Sequence, residues 1–200
     1  MARFSLLLGI TFAVLGSSST GCGESGATQR AAGPSALDEF EIVVTGPDSG
    51  RRIGLYRYGS AGSYRAAVQA FGEPSSRGTD NPIQSNLCTV RWRRLGLDIG
   101  FATSAPRPCR PTRRGQGAWY GSTVYTRQWH TELGLRVGDR VARIRQLYPR
   151  ARFRDVPPRP PFWSLVRERR PSPIGVTDIL IAEVWGGLVV AIRVPPDYIY

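Results

Sequence analysis

Lysine is absent from this 200-residue chain, so all 27 basic side chains are arginine. We interpret this bias as a property of the coding sequence, which makes the net charge of +12 weaker evidence for an anionic partner. Histidine occurs once, at His130, and we expect this residue to be packed or solvent-facing, with no catalytic role. The chain also lacks GxSxG, HExxH, SxxK and phosphate-binding glycine motifs. These absences predict a protein without catalytic residues.

Cysteine is scarce too, with Cys22, Cys88 and Cys109 the three in the chain. Neither CxxC nor HxxxH spacing occurs, so we expect no metal site and no cofactor. With Cys22 set aside, Cys88 and Cys109 form an even pair, which in an exported chain predicts a disulfide. Such a bridge would close a loop of about 20 residues and contribute about 3 kcal/mol to stability.

The first residues have the layout of a secretory signal peptide over 1–21. A positive start at Arg3 precedes an apolar run, and small residues then lead to Cys22. The apolar run is too short to cross a hydrocarbon core of about 30 Å as a helix. We therefore expect an exported, extracytoplasmic protein.

The junction at Cys22 resembles the lipobox of bacterial lipoproteins, in which the cysteine thiol receives the lipid. Thr20 and Gly21 fit that pattern, whereas Ser19 stands where an aliphatic residue is preferred. Residues 22–39 are small, polar and aperiodic, as expected of a flexible tether behind a lipid anchor. A protein held at the cell envelope by a lipid on Cys22 is the resulting prediction, with plain secretion as the alternative.

Positive charge is concentrated in the middle of the chain. Residues 87–170 hold 19 arginines against 5 acidic residues, a local excess of 14. Such a field attracts polyanions in a salt-dependent way. Export disfavours nucleic acid, which leaves anionic lipid head groups or envelope polymers as partners. A solvated basic face without any partner is the competing interpretation.

Beyond residue 40, short helical patterns alternate with strand patterns. Helices are predicted at 63–71, capped by Ser63, and at 139–148, where Gly138 and Asp139 repeat the turn and cap. Val68 and Ile144 lie on their apolar stripes and are predicted to be buried. A hairpin is expected around residues 94–96, and another at Gly186-Gly187. The prediction is an α+β fold of two tandem units, 40–117 and 118–200, each a short helix followed by an antiparallel sheet.

A family resemblance fits this order. The segment 134–139, Gly-Leu-Arg-Val-Gly-Asp, before a short helix that ends at Pro149 resembles the tandem units of exported bacterial proteins. The relatives that it is similar to are the β-lactamase inhibitor protein and the small SmpA/OmlA outer-membrane lipoproteins. Residues 54–59 match more loosely, with an extra residue within the motif. The resemblance implies a binding protein whose sheets form a concave face, and it brings no catalytic residues.

Outward-facing arginines on the strands are the candidate binding residues. Arg91 and Arg93 alternate with Trp92, which we assign to the core with Cys88, and so lie on the other face. Arginine with Trp or Tyr dominates binding hot spots, so a binding face for a protein or an anionic envelope polymer is the first function hypothesis. A structural envelope-assembly lipoprotein without a discrete ligand is the second, and an extracytoplasmic enzyme is the third and weakest. The candidate binding face comprises Arg91, Arg93, Arg127 and Arg167.

Overall fold

The protein, described here from a computed structural model, is built mostly of β-strands arranged in two sheets. In the described part of the chain, no helix is long and apolar enough to cross a membrane. The predicted signal peptide, Cys22 and most of the tether lie outside the described residues. The structure describes residues 38–46, 50–58, 63–78, 87–102, 117–157, 159–169 and 175–196.

A small sheet of four very short strands covers one side of the core. Its strand order is β3-β2-β1-β8, and β1 pairs with β8 in parallel, whereas the other pairs are antiparallel. Alternation is hard to recognise in strands of two or three residues, and sequence patterns predicted none of these four. The strands are β1 (Glu41–Val43), β2 (Arg52–Ile53), β3 (Tyr56–Arg57) and β8 (His130–Thr131).

A large antiparallel sheet of eight strands forms the other layer. Two runs of four consecutive strands meet where β7 pairs with β12, in the order β4-β5-β6-β7-β12-β11-β10-β9. The strands are β4 (Ser76–Gly78), β5 (Leu87–Trp92), β6 (Leu97–Ala102), β7 (Ala118–Val124), β9 (Arg152–Arg154), β10 (Phe162–Arg169), β11 (Val176–Trp185) and β12 (Leu188–Val194).

The first helix, α1 (Tyr64–Phe71), confirms the helix predicted in this segment. The Ser63 hydroxyl accepts a hydrogen bond from the Ala66 amide at 3.2 Å, as expected of an N-cap. The buried residue of α1 is Ala67, and Val68, predicted to be buried, is half-buried. The Trp92 indole donates to the carbonyl of Gly72 at 2.8 Å, which fixes the end of the helix against β5.

The second helix, α2 (Val141–Leu147), begins two residues later than predicted. Ile144 is fully buried, as predicted, and Arg143 is exposed. The predicted cap is wrong, because Asp139 accepts from the backbone amide of Arg136 at 2.9 Å and not from the helix. Arg140 takes the N-cap position without a side-chain bond.

Aromatic side chains join the two layers. Trp129 is fully buried, packs edge-on against Phe40 and Phe71, and donates its indole hydrogen to the carbonyl of Leu95 at 2.6 Å. Trp92, assigned to the core from its parity, is 3% exposed, which confirms that assignment. Cys88 is also buried, whereas Cys109 lies outside the described residues, so their disulfide stays a prediction.

The expected α+β fold of two helix-plus-sheet units is wrong. The described part of the chain is mostly β, its two α-helices are eight and seven residues long, and it belongs to one compact unit, 36–200. Residues 40–117 and 118–200 do not carry separate sheets, because β7 pairs with both β6 and β12. Edge strands leave backbone donors and acceptors unpaired. Here β7 and β12, which end the two runs of strands, pair with each other and so satisfy these backbone groups. The hairpins around 94–96 and at Gly186-Gly187 are confirmed.

Candidate functional site

The large sheet has one face toward the core and a second face that we call the open face. On β5 and β6, Val90 and Ile99 are paired and buried in the core. Their neighbours Arg91 and Asp98 are also paired, and alternation along a strand places them on the opposite side. The open face is therefore the side of the sheet that carries Arg91 and Asp98.

A continuous row of residues crosses the open face from strand to strand. Asp98 is opposite Thr123 on β7, Thr123 is opposite Arg193 on β12, and Arg193 is opposite Ile181 on β11. Ser164 on β10 completes the row opposite Ile181. Directly paired residues of an antiparallel sheet point to the same side, so these strands present their side chains together.

Arginines of this row are held by carboxylates. The Arg91 Nε atom lies 3.3 Å from Asp98 Oδ2. The Arg193 Nη2 atom lies 2.8 Å from Glu183 Oε1, and its Nε donates to Thr123 Oγ1 at 3.3 Å. The Glu183 side chain is 11% exposed, so this carboxylate is largely removed from water and depends on its arginine. The Arg193–Glu183 pair joins the two strands of the last hairpin.

A third pair extends the pattern to the far side of the open face. The Arg167 Nε atom lies 3.7 Å from Asp178 Oδ1, and the Ser164 hydroxyl donates to the same oxygen at 2.5 Å. Because Ser164 belongs to the row, its bond places Asp178 on the open face. Along this row the positive and negative groups thus alternate, and Arg152 on β9, directly opposite Ser164, adds a positive group at the edge of the open face.

A cleft of about 340 Å³ opens on this face over β5, β6, β7 and the end of β12. Its hollow shape follows from two glycines, because Gly100 and Gly121 are opposite each other and leave no side chain above the sheet. A Cβ added at Gly121, whose φ is +123°, would come within 3.2 Å of Pro196 Cδ. The walls include the side chains of Arg91, Asp98, Tyr120, Tyr125 and Arg193.

Tyr125 is the most exposed aromatic residue of the cleft, with 45% of its surface accessible. Partial burial raises the pKa of its phenol, and the negative charge of Asp98 raises it further. The hydroxyl therefore stays protonated at neutral pH and can donate a hydrogen bond to a ligand.

The hairpin end of the open face is apolar. Val184 and Val189 are buried in the core, so their neighbours Trp185 and Leu188 lie on the opposite side. Trp185 is 74% exposed and Leu188 is 43% exposed, and the two are directly opposite each other. Arg140 pairs with Leu188 through an isolated antiparallel β-bridge of the backbone, which places a positively charged residue beside Trp185 and Leu188.

The four arginines predicted as a binding face are distributed over different elements. Arg91 lines the cleft, and Arg167 lies on β10 beside Asp178. Arg93 is exposed in a single turn of 3-10 helix between β5 and β6, and Arg127 is exposed in the turn after β7. Sequence parity indicated the side of Arg91, but it could not place Tyr120, Tyr125 and Glu183 on the same face, because their positions depend on which strands pair.

The side chain of His130 contacts residues at the start of the small sheet. Its Nε2 atom lies 2.9 Å from Asp38 Oδ2, and its Nδ1 atom lies 3.1 Å from the carbonyl of Thr131. The neighbouring Thr131 hydroxyl is fully buried and accepts a hydrogen bond from the Tyr148 hydroxyl at 2.6 Å. These contacts connect the residues before β1 to β8. Among the described residues, no group of three His, Cys, Asp or Glu side chains is placed to hold a metal ion. The expectations that the protein has no metal site, no cofactor and no catalytic role stay predictions.

These features place the described residues among mostly β proteins built on antiparallel sheets. No family model matches the chain, and no curated protein matches its sequence. An extracellular protein containing an SCP domain from Bacillus anthracis is structurally similar at a TM-score of 0.40 and 10% identity, over 77% of this chain and 48% of that one. The chain thus spans about half the length of that structure. The resemblance to the β-lactamase inhibitor protein and SmpA/OmlA lipoproteins stays a prediction.

Proposed function

We propose that this protein is an exported, lipid-anchored and non-catalytic binding module of the cell envelope, and that its open face binds another protein. Export and anchoring rest on the signal peptide pattern over 1–21 and on Cys22. Extracytoplasmic location belongs to the same proposal. The observation that carries the binding function is the combination, on one sheet face, of the cleft with exposed aromatic and aliphatic side chains.

The residues of the open face are those that dominate protein interfaces. Trp185 and Tyr125 present large, rigid surfaces, and tryptophan, tyrosine and arginine are enriched in binding hot spots. The cleft beside Tyr125 offers a depression into which a partner side chain fits. Trp185 and Leu188 form an exposed apolar pair at the hairpin end, which a partner would remove from water.

The three ion pairs of the open face favour a protein partner over a polyanion. Arg91, Arg167 and Arg193 each lie beside a carboxylate on the same face. A polyanion would have to compete with those carboxylates, whereas a protein surface with both charges complements the alternating pattern. Ion pairs that are already formed also hold the arginine side chains in place, which lowers the entropy lost on binding.

Site-specific photo-crosslinking in intact cells tests the proposal. A photoreactive residue replaces Tyr125 or Trp185 in separate variants, and a matched control carries it at exposed Arg65 on α1. We expect the same discrete protein adduct from both open-face positions and none from position 65. Adducts of equal yield and pattern from all three positions, or none from the open face, would contradict a partner-binding role.

A further inference from the structure

The edge of the large sheet that borders the open face differs from it in charge. Eight arginines lie between residues 136 and 159, against the two acids Asp139 and Asp155, and all eight are exposed. Part of this set surrounds β9, the last strand of the large sheet, which pairs only with β10 among the described strands. We call this surface the basic edge and define it by Arg145, Arg150, Arg152, Arg154 and Phe153.

Aromatic side chains are built into the basic edge. The Arg145 guanidinium lies 5.5 Å from the centre of the Trp163 ring, within the range of a cation–π contact. The Trp163 ring lies 5.7 Å from the ring of Phe153, which is 52% exposed between Arg152 and Arg154. Because Phe153 is opposite Trp163, its ring lies on the side of β9 that carries Trp163 and Arg145. Because Arg152 is opposite Ser164, Arg152 and Arg154 lie on the other side, and the free edge of the strand presents both sides.

The arginines of the basic edge lack the partners that their counterparts on the open face have. Within the described ranges, none of its four arginines makes a salt bridge, and Asp155 is the one acidic residue between positions 145 and 159. Their charge is consequently available to an external anion. Charged side chains on an edge strand also oppose aggregation, but that role requires neither an exposed Phe153 nor the Arg145–Trp163 contact.

We propose that the basic edge binds the surface of an anionic phospholipid bilayer. Arginines near such a surface each gain about 1 kcal/mol from the negative potential of the lipid head groups. An exposed aromatic ring on the same sheet edge gains further by entering the interface between head groups and acyl chains. A soluble polyanion would satisfy the arginines but would leave Phe153 in water, so the combination favours lipid. The basic edge borders the open face, because Arg152 is opposite Ser164, but this inference does not depend on a protein partner.

Vesicle co-sedimentation tests this inference with the unlipidated chain from residue 23, which retains the compact unit 36–200. The probes are phosphatidylglycerol vesicles, phosphatidylcholine vesicles and soluble polyglycerol phosphate. The triple variant Arg145→Gln, Arg152→Gln, Arg154→Gln should bind phosphatidylglycerol vesicles at least about tenfold more weakly than the parent chain. Binding to phosphatidylcholine vesicles should be weak for both.

A charge-matched control separates a local surface from net charge. Arg57→Gln, Arg65→Gln and Arg94→Gln remove the same three charges at exposed positions outside the basic edge, and should change vesicle binding by less than about twofold. Phe153→Ser should weaken binding to vesicles but leave binding to polyglycerol phosphate unchanged. Equal losses in the two triple variants would overturn the proposal, as would a Phe153→Ser variant that binds vesicles like the parent. Thermal melting of each variant verifies that it is folded.

Discussion

The open face and the basic edge use the same residue type in opposite ways. On the open face, Arg193 forms an ion pair with Glu183 at 2.8 Å and Arg91 forms one with Asp98 at 3.3 Å. Each of these arginine side chains is therefore held in place by a carboxylate. On the basic edge, Arg152 and Arg154 project from one side of an edge strand and have no described carboxylate partner, and Phe153 projects from the other side. The difference shows that the charge of a chain says little about its partners until the position of each carboxylate is known.

The largest change in stability is expected from a substitution in the hydrophobic core. Ile144 is fully buried on α2, and its replacement by alanine should lower the free energy of unfolding by about 2–5 kcal/mol, because it leaves a cavity. Arg143→Ala on the exposed side of the same helix is the control and should change stability by no more than about 0.5 kcal/mol. Urea unfolding measures both. Equal effects of the two substitutions would mean that α2 is not packed as described.

A smaller difference in unfolding free energy should distinguish the paired arginines of the open face from those of the basic edge. Glu183→Ala leaves Arg193 without its nearly buried partner and should cost about 1–2 kcal/mol of unfolding free energy. Arg154→Ala on the basic edge should cost no more than about 0.5 kcal/mol, because it breaks no described ion pair. Denaturant unfolding at low and high salt distinguishes them. If Arg154→Ala is as costly as Glu183→Ala, the contrast between held and available arginines fails.

The smallest effect concerns the pH dependence of the cleft. Burial raises the folded-state pKa of Tyr125, so its contribution to stability is fully present below the unfolded-state pKa of about 10 and is lost as pH rises through the folded value. Tyr125→Phe should remove this one step from the alkaline absorbance titration of the tyrosines. If the step that Tyr125→Phe removes lies at or below pH 10, the folded-state pKa of Tyr125 is not raised, which would contradict its partial burial.

Local features of the fold could be predicted from the sequence. The cap at Ser63 and the apolar spacing around Ile144 were sufficient for both helices, and Gly186-Gly187 was sufficient for the last hairpin. These features involve residues that are close in the chain, so composition and spacing carry the information. The parity of Val90 and Trp92 likewise predicted the side of the sheet on which Arg91 lies.

Long-range pairings could not be predicted in the same way. The junction of β7 with β12 brings Thr123 opposite Arg193, 70 residues apart, and no local pattern specifies it. The cleft follows from that junction and from Gly121, whose effect depends on the position of Pro196. The small sheet escaped prediction because its strands are too short to show alternation, and its order depends on β8 pairing with β1 across the chain.

The central claim is that the centre of the open face and the basic edge at its border bind different partners. Its most direct test is the yield of the protein adduct crosslinked from position 125, measured in two backgrounds. We expect Trp185→Ala to reduce the adduct at least about tenfold, since truncating a hot-spot tryptophan costs 2 kcal/mol or more. The triple variant Arg145→Gln, Arg152→Gln, Arg154→Gln should leave the yield in detergent extracts unchanged. Loss of the adduct in the triple variant, with retention in Trp185→Ala, would contradict the account.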